Sequence, residues 1–249
     1  MKKNSVTLAL FLYPTKESQD RFLKQSSVYA LVPSLTRGGK RSLLYHLEQE
    51  AVLFSERVSG DIQYSLTEKG QRQLIELFPA LDSKWDTYAG TWQCIVFQQA
   101  PKSDPQFRYL RSQLVREHAI GLSRGVYCSP DSFSTNLIQM CQKLYQDCVS
   151  IFSVASWDFG FERSSITRNF SLADLATSYS SVSTEVESLL ASVDQKRRPN
   201  DQEKKQFFSV YNRFRDILSE DVGITTYYYP QVPSGLQLLA QLQELADTF

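Results

Sequence analysis

Residues 27–70 read SVYALVPSLTRGGKRSLLYHLEQEAVLFSERVSGDIQYSLTEKG. Val28, Leu31, Val32 and Leu35 recur at helical spacing and predict a helix over residues 28–35. Thr36 is a side-chain cap for a second helix, with Leu43, Leu44, Leu47 and Ala51 on its inner face and Arg37, Lys40, Arg41, Tyr45, His46 and Gln49 facing outward. Gly38 and Gly39 fall inside that helix, where each costs about 1 kcal/mol; they either start it late or let its backbone approach a phosphate. Two runs of β-forming residues, 52–58 and 62–66, are joined by Ser59-Gly60-Asp61, which suits a tight hairpin turn. Helix, turn, helix and a two-stranded wing predict a winged helix-turn-helix, a unit whose second helix enters the DNA major groove. In that arrangement Arg37, Lys40, Arg41, Tyr45 and Gln49 face the groove, while Arg57, Gln63 and Lys69 take phosphates from the wing. The competing reading is a winged helix that docks protein, within a non-catalytic interaction or scaffold protein.

Outward from that stretch, residues 1–14 (MKKNSVTLALFLYP) open like a secretory signal. The apolar run covers only residues 6–13, however, no small-x-small cleavage site follows, and Pro14 ends it. A first helix packed beneath the DNA-reading unit explains it better. No later stretch approaches the roughly 18–20 apolar residues that span a bilayer, so a soluble, cytoplasmic protein is expected. Of 249 residues, 27 are Lys or Arg and 27 are Asp or Glu, which excludes a histone-like polycation. The charge is uneven: residues 1–80 carry 11 basic and 8 acidic side chains, residues 161–249 carry 9 and 12. The excess of positive charge falls on the third that holds the groove-reading helix.

Thr67 caps a helix over residues 71–78, Pro79 ends it, and Asp82-Ser83-Lys84 reads as a linker. Trp92-Gln93-Cys94-Ile95-Val96-Phe97 is dense in β-formers and predicts a buried strand. Helical spacing at Phe107, Leu110, Leu114 and Val115, a strand over 121–128, a helix over 137–144 and a strand over 149–155 complete a strand-helix-strand-helix-strand unit. That order suggests a ferredoxin-like α/β sandwich. The last third is helical: Leu172, Leu175, Tyr179, Val182, Val186, Leu189 and Val193 form a coiled-coil-like seam that packs either within the chain or across a dimer axis. The fold class is therefore α+β and multidomain, with boundaries at 1–82, 83–160 and 161–249. Cys94, Cys128, Cys141 and Cys148 contain no Cys-x-x-Cys pair, and only His46 and His118 accompany them. A zinc cage is not available, and four buried free thiols in a reducing compartment are expected.

Three stretches, in order, resemble the PaaX-like family of bacterial repressors of phenylacetic acid catabolism. They are Tyr64-Ser65-Leu66-Thr67-Glu68-Lys69-Gly70; then Trp92-Gln93-Cys94-Ile95-Val96-Phe97, Arg108-Tyr109-Leu110-Arg111-Ser112-Gln113-Leu114 and Gly125-Val126-Tyr127-Cys128-Ser129-Pro130; then Tyr211-Asn212-Arg213-Phe214-Arg215-Asp216-Ile217-Leu218 through Tyr229-Pro230 and Pro233-Ser234-Gly235. The resemblance implies a winged helix, a central Cas2-like domain and an α-helical C-terminal domain. It further implies a homodimeric repressor on double-stranded operator DNA, with an inverted-repeat site if the dimer is two-fold symmetric, and an effector of the acyl-CoA type. The chain departs from the family at Asp221-Val222, where Asp-Pro is common, and at Gln231-Val232-Pro233, where a Trp is. Candidate ligand contacts are Arg108 and Arg111, an i, i+3 pair on one helix, and the run Tyr227, Tyr228, Tyr229.

Enzymatic readings fare poorly. Gly121-Leu122-Ser123-Arg124-Gly125 fits the Gly-x-Ser-x-Gly pattern, but a helix precedes it, a strand follows, and no histidine lies beyond His118. Cas2-type nucleases hold a metal on an aspartate at the end of the first strand, where this chain has Gln98-Gln99-Ala100, and amides lack the charge a Mg²⁺ site needs. No catalytic residue, metal or cofactor is expected.

Overall fold

The computed structural model describes residues 1–15, 20–98, 105–145, 147–157, 162–192 and 199–248. The elements run α1 (Lys3–Leu12), β1 (Leu23–Lys24), α2 (Gln25–Ala30), α3 (Arg37–Gln49), β2 (Leu53–Val58), β3 (Asp61–Leu66), α4 (Glu68–Leu77), β4 (Trp92–Phe97), α5 (Pro105–Arg116), β5 (Ile120–Ser123), β6 (Val126–Ser129), α6 (Thr135–Tyr145), β7 (Val149–Val154), α7 (Glu162–Asn169), α8 (Leu172–Ser192), α9 (Asp201–Glu220), α10 (Thr225–Tyr228) and α11 (Gly235–Ala246). The chain is α+β, with two small antiparallel sheets ordered β1-β3-β2 and β5-β6-β4-β7. It divides into two compact units, Met1–Trp85 with Ala173–Phe249, and Asp86–Leu172. The first and last thirds, drawn from the sequence as separate domains, share one apolar core.

That core is built around α1, whose residues from Ser5 to Leu12 are all buried. A helix apolar on every side gains about 2 kcal/mol for each large side chain it buries, and Leu8, Leu10, Phe11 and Leu12 are fully enclosed. Phe11 stacks at 5.8 Å and 4.9 Å from Phe207 and Tyr211 of α9. The last carbonyls of a helix lack their i+4 donors; at the end of α1 the Tyr13 N–H reaches Leu10 O at 3.2 Å, and distant side chains provide the other donors. Gln243 of α11 donates its amide to Leu10 O and Tyr13 O, both at 2.9 Å, and accepts from the Thr15 hydroxyl. Arg21 Nε donates to Phe11 O at 2.8 Å. Tyr13 donates to Leu81 O, and burial, with Asp82 nearby, pushes its phenol up to about 12.

The predicted seam is α8, and Tyr179, Val182, Val186 and Leu189 enter the same core within the chain; Val193 lies outside the described residues. Arg213 of α9 meets Glu185 of α8 at 2.7 Å. Beneath them lies a buried carboxylate. Asp221 is 4% exposed; its Oδ2 accepts from Tyr179 Oη at 2.9 Å, and its Oδ1 accepts from Gly223 N and Thr225 Oγ1 at 2.9 and 2.8 Å. Burial raises its pKa above the ordinary 3.8, against the pull of these hydrogen bonds. Gly223 sits at φ +102, and a Cβ there would fall 2.2 Å from Trp85 Nε1, so only glycine fits under the indole. The indole donates to Pro79 O at 2.8 Å.

The second unit stacks α5 and α6 on one face of its sheet: Ile95, Phe97 and Tyr127 join Leu110, Leu114, Leu137 and Cys141 in its core. Phe97 meets Phe107 and Tyr145 edge-on at 5.1 and 5.7 Å. The single strand predicted over 121–128 is a hairpin, because Arg124-Gly125 turns the chain between β5 and β6, with Gly125 at φ 80. The Gly-x-Ser-x-Gly match lies in this hairpin. The expectation of four free thiols fails for two of them. Register sets Cys94 opposite Cys128, and the two form a disulfide, with Cα atoms 4.2 Å apart. Cys141 and Cys148 are free, and burial pushes the Cys141 thiol up to about 11. Gln99 and Ala100, discussed above as a failed metal position, lie outside the described residues.

Gln243→Ala strands the buried Tyr13 carbonyl, leaves Leu10 O with only the Tyr13 N–H, and opens a small void, so it should lower unfolding free energy by about 1–3 kcal/mol, read from urea denaturation of the full chain. An unchanged midpoint would refute the capping role. Because the folded-state pKa of Asp221 is raised, its contribution to stability is full below the unfolded value and is lost as pH rises through the folded one. The stability advantage of the wild type over Asp221→Asn should therefore narrow as pH rises above about 4, the ordinary carboxylate value. A gap that widens over the same urea series would contradict this.

Candidate functional site

The helix predicted over 28–35 starts earlier and stops earlier, as α2, since Pro33 follows closely and blocks its continuation. A turn through residues 31–35 leads to Thr36, whose hydroxyl accepts from Gly39 N at 3.2 Å and fixes the first turn of α3. The helix thus begins before Gly38 and Gly39 rather than after them. A Cβ at Gly38 would meet nothing within 4 Å. Leu44 and Leu47 are buried beneath α3. Ala51, placed by its spacing on the inner stripe, is instead exposed in the left-handed region at φ 53. This turn is held by Thr67, which donates to Ala51 O at 2.6 Å while capping α4 through Gly70 N. Gly70 is needed there, since a Cβ would lie 2.3 Å from Val52 O.

The structure sorts the candidate residues into two groups. Arg37, Arg41, Tyr45 and Gln49 are exposed on α3 at four-residue spacing, with Tyr45 65% exposed. Arg57 is exposed on β2 opposite Ile62. Lys40 and Lys69, by contrast, are bonded within the fold. Lys40 Nζ donates to Tyr29 O at 2.7 Å and lies 5.7 Å from that ring, tying α2 to α3. Lys69 Nζ donates to Glu50 O at 2.7 Å, at the C-terminal end of α3 where carbonyls lack partners. Gln63 is half-buried on β3, between Lys24 and Glu56 in the register. Acidic groups gather toward the far end of α3: His46 pairs with Glu50 at 3.3 Å, and Glu48 accepts from Ser55. Free positive charge is thus concentrated on the first two turns.

Sequence reasoning missed Lys2 and Lys3. They are exposed at the start of α1 and line an open groove of about 1350 Å³ with Ser42, Tyr45 and Gln49 of α3. The pattern of residues 1–14 points to a buried helix but not to which element its first residues adjoin. Arg108 and Arg111 are exposed on α5 of the second unit, whereas the three tyrosines belong to the first. Of these, Tyr227 is 46% exposed, Tyr228 is buried with its ring 5.1 Å from that of Tyr227, and Tyr229 packs against the core. Among the described residues, no group of three or more His, Cys, Asp or Glu is placed to hold a metal ion, and no helix is long and apolar enough to cross a membrane.

No protein-family model matches the chain, and no curated protein matches it. Among solved structures it is similar to Uncharacterized protein Rv0674 from Mycobacterium tuberculosis, at 15% identity over 98% of this chain and 93% of that one, with a TM-score of 0.48.

Lys40→Met keeps the stem but removes the donor to Tyr29 O, and should cost about 1 kcal/mol of stability. Chemical denaturation reads this directly; a midpoint equal to wild type would show that the bond does not hold α2 to α3.

Proposed function

We propose that the chain is a sequence-specific DNA-binding transcriptional regulator of the PaaX-like kind, acting as a homodimeric repressor in the bacterial cytoplasm. On this reading α2 and α3 are a helix-turn-helix, β2 and β3 are its wing, and α3 enters the major groove. The observation that carries it is the exposed stripe Arg37, Arg41, Tyr45 and Gln49 on a helix anchored by the buried Leu44 and Leu47. Two guanidiniums at i, i+4 with no partner among the described residues suit bidentate contact with phosphates or guanine edges, and Gln49 suits an adenine edge. The order α1, β1, α2, α3, β2, β3 and the three-stranded sheet agree with a winged helix. The second unit, two helices on an antiparallel four-stranded sheet, agrees with a ferredoxin-like, Cas2-like domain. The homodimer and the acyl-CoA-type effector are what the family resemblance implies.

Because Lys40 and Lys69 are bonded within the fold, the test falls on the arginines. Arg37→Ala with Arg41→Ala should weaken binding to fragments selected from sheared source DNA and reduce the slope of log affinity against log salt by about 2. Both side chains are exposed, so the unfolding midpoint should stay at its wild-type value. Affinity and slope unchanged in this variant, or no fragment retained against non-specific competitor, would sink the reading in favour of a protein-docking head.

A further inference from the structure

Between the end of α2 and the first turns of α9 lies a concavity of about 830 Å³. Both walls belong to the same compact unit. Its body is apolar, with Tyr29, Leu31 and Phe208, and its lining includes Lys40, Lys204 and Lys205 against the single acid Asp201. Lys204 and Lys205 are exposed, and neither ammonium has an ion-pair or hydrogen-bond partner among the described residues. The N-terminal end of α9 is already satisfied by the capping box of Asn200 and Glu203, so the site's free electrostatic capacity lies in the lysines. The volume falls within the range of small-molecule sites. An apolar cavity bordered by an excess of positive charge favours an occupant with an apolar body and an acidic group.

We infer that this concavity binds a small organic anion whose acidic group is taken by Lys204 and Lys205, and that Lys40 couples its occupancy to α3. The coupling rests on the reading of α3 as a DNA-contacting helix; the binding site does not. Lys40 donates to the neutral Tyr29 carbonyl at 2.7 Å. A bound anion is a stronger, charge-assisted acceptor, and drawing the ammonium toward it loosens the tie that sets α3 against α2. Arg37 and Arg41 ride on the same helical segment as Lys40, so a shift of that segment moves both. By reciprocity, an occupant that favours the loosened arrangement weakens DNA binding, and DNA weakens the occupant.

The probe is anilinonaphthalene sulfonate, compared with phenylnaphthylamine, its neutral counterpart. The full chain should bind the sulfonate saturably, at least about tenfold tighter than the neutral compound. Lys204→Glu with Lys205→Glu should weaken the sulfonate by at least about tenfold while leaving the neutral compound unchanged; matching unfolding midpoints exclude a folding defect. Equal affinity for both compounds, or sulfonate binding indifferent to the two lysines, overturns the site. With a selected DNA fragment, saturating sulfonate should lower the affinity of the wild type but not that of the doubly substituted chain. Unaltered wild-type DNA affinity overturns the coupling. A chain that takes the sulfonate through Lys204 and Lys205 yet retains no DNA overturns the regulator reading and leaves the binding site standing.

Discussion

A helix ends in carbonyls that its own turns cannot satisfy, and in this protein the donors for α1 come from the opposite end of the sequence. Gln243, 233 residues after Leu10, places both amide hydrogens on the buried end of this helix. Without that arrangement α1 could not be buried to its last turn, since each stranded carbonyl costs about 1–3 kcal/mol. Everything in the first unit leans on α1: the rings of α9, the sheet beneath α3 and the short turn that receives Tyr13. The position of the exposed arginine stripe is therefore a consequence of an amide buried far from it.

Electrostatics within α3 follow the same logic of unsatisfied backbone. The two lysines bonded within the fold, Lys40 and Lys69, both end on backbone carbonyls, Tyr29 O and Glu50 O. A flexible ammonium with three donors is well matched to such sites, whereas a planar guanidinium favours a forked, bidentate partner. The result is a division of labour among cations that look equivalent in composition. Two stitch the helix in place, while Arg37 and Arg41 remain on its outer face.

Local patterns were legible in the sequence wherever a single neighbour decides the outcome. Thr36 and Thr67 cap α3 and α4 as their spacing indicates, and the hairpin and the seam appear where their residues place them. Partners remote in sequence were not legible. A glutamine on an amphipathic helix reads as solvent-facing until α1 is beside it, and Cys94 and Cys128 look unrelated until strand register sets them opposite each other. Ala51 misled for a different reason. Its spacing fits the inner stripe, but a residue in the left-handed region continues no stripe, and the hydroxyl that holds it comes from Thr67. Within the candidate site, the sequence named the cations but could not separate those bound to backbone from those left exposed.

The bond from Gln243 to α1 also bears on the order in which a growing chain can fold. The middle unit is one continuous segment, Asp86–Leu172, so it can close while synthesis continues. The first unit cannot. Its central helix is made before the middle unit and waits for α11, which is made after it, and in the interval Leu8, Leu10 and Phe11 have no complete core to enter. Contacts so distant along the chain are slow to form and leave apolar surface open to association. On the ribosome, this protein therefore presents a finished middle while the unit that carries the arginine face still waits for α11.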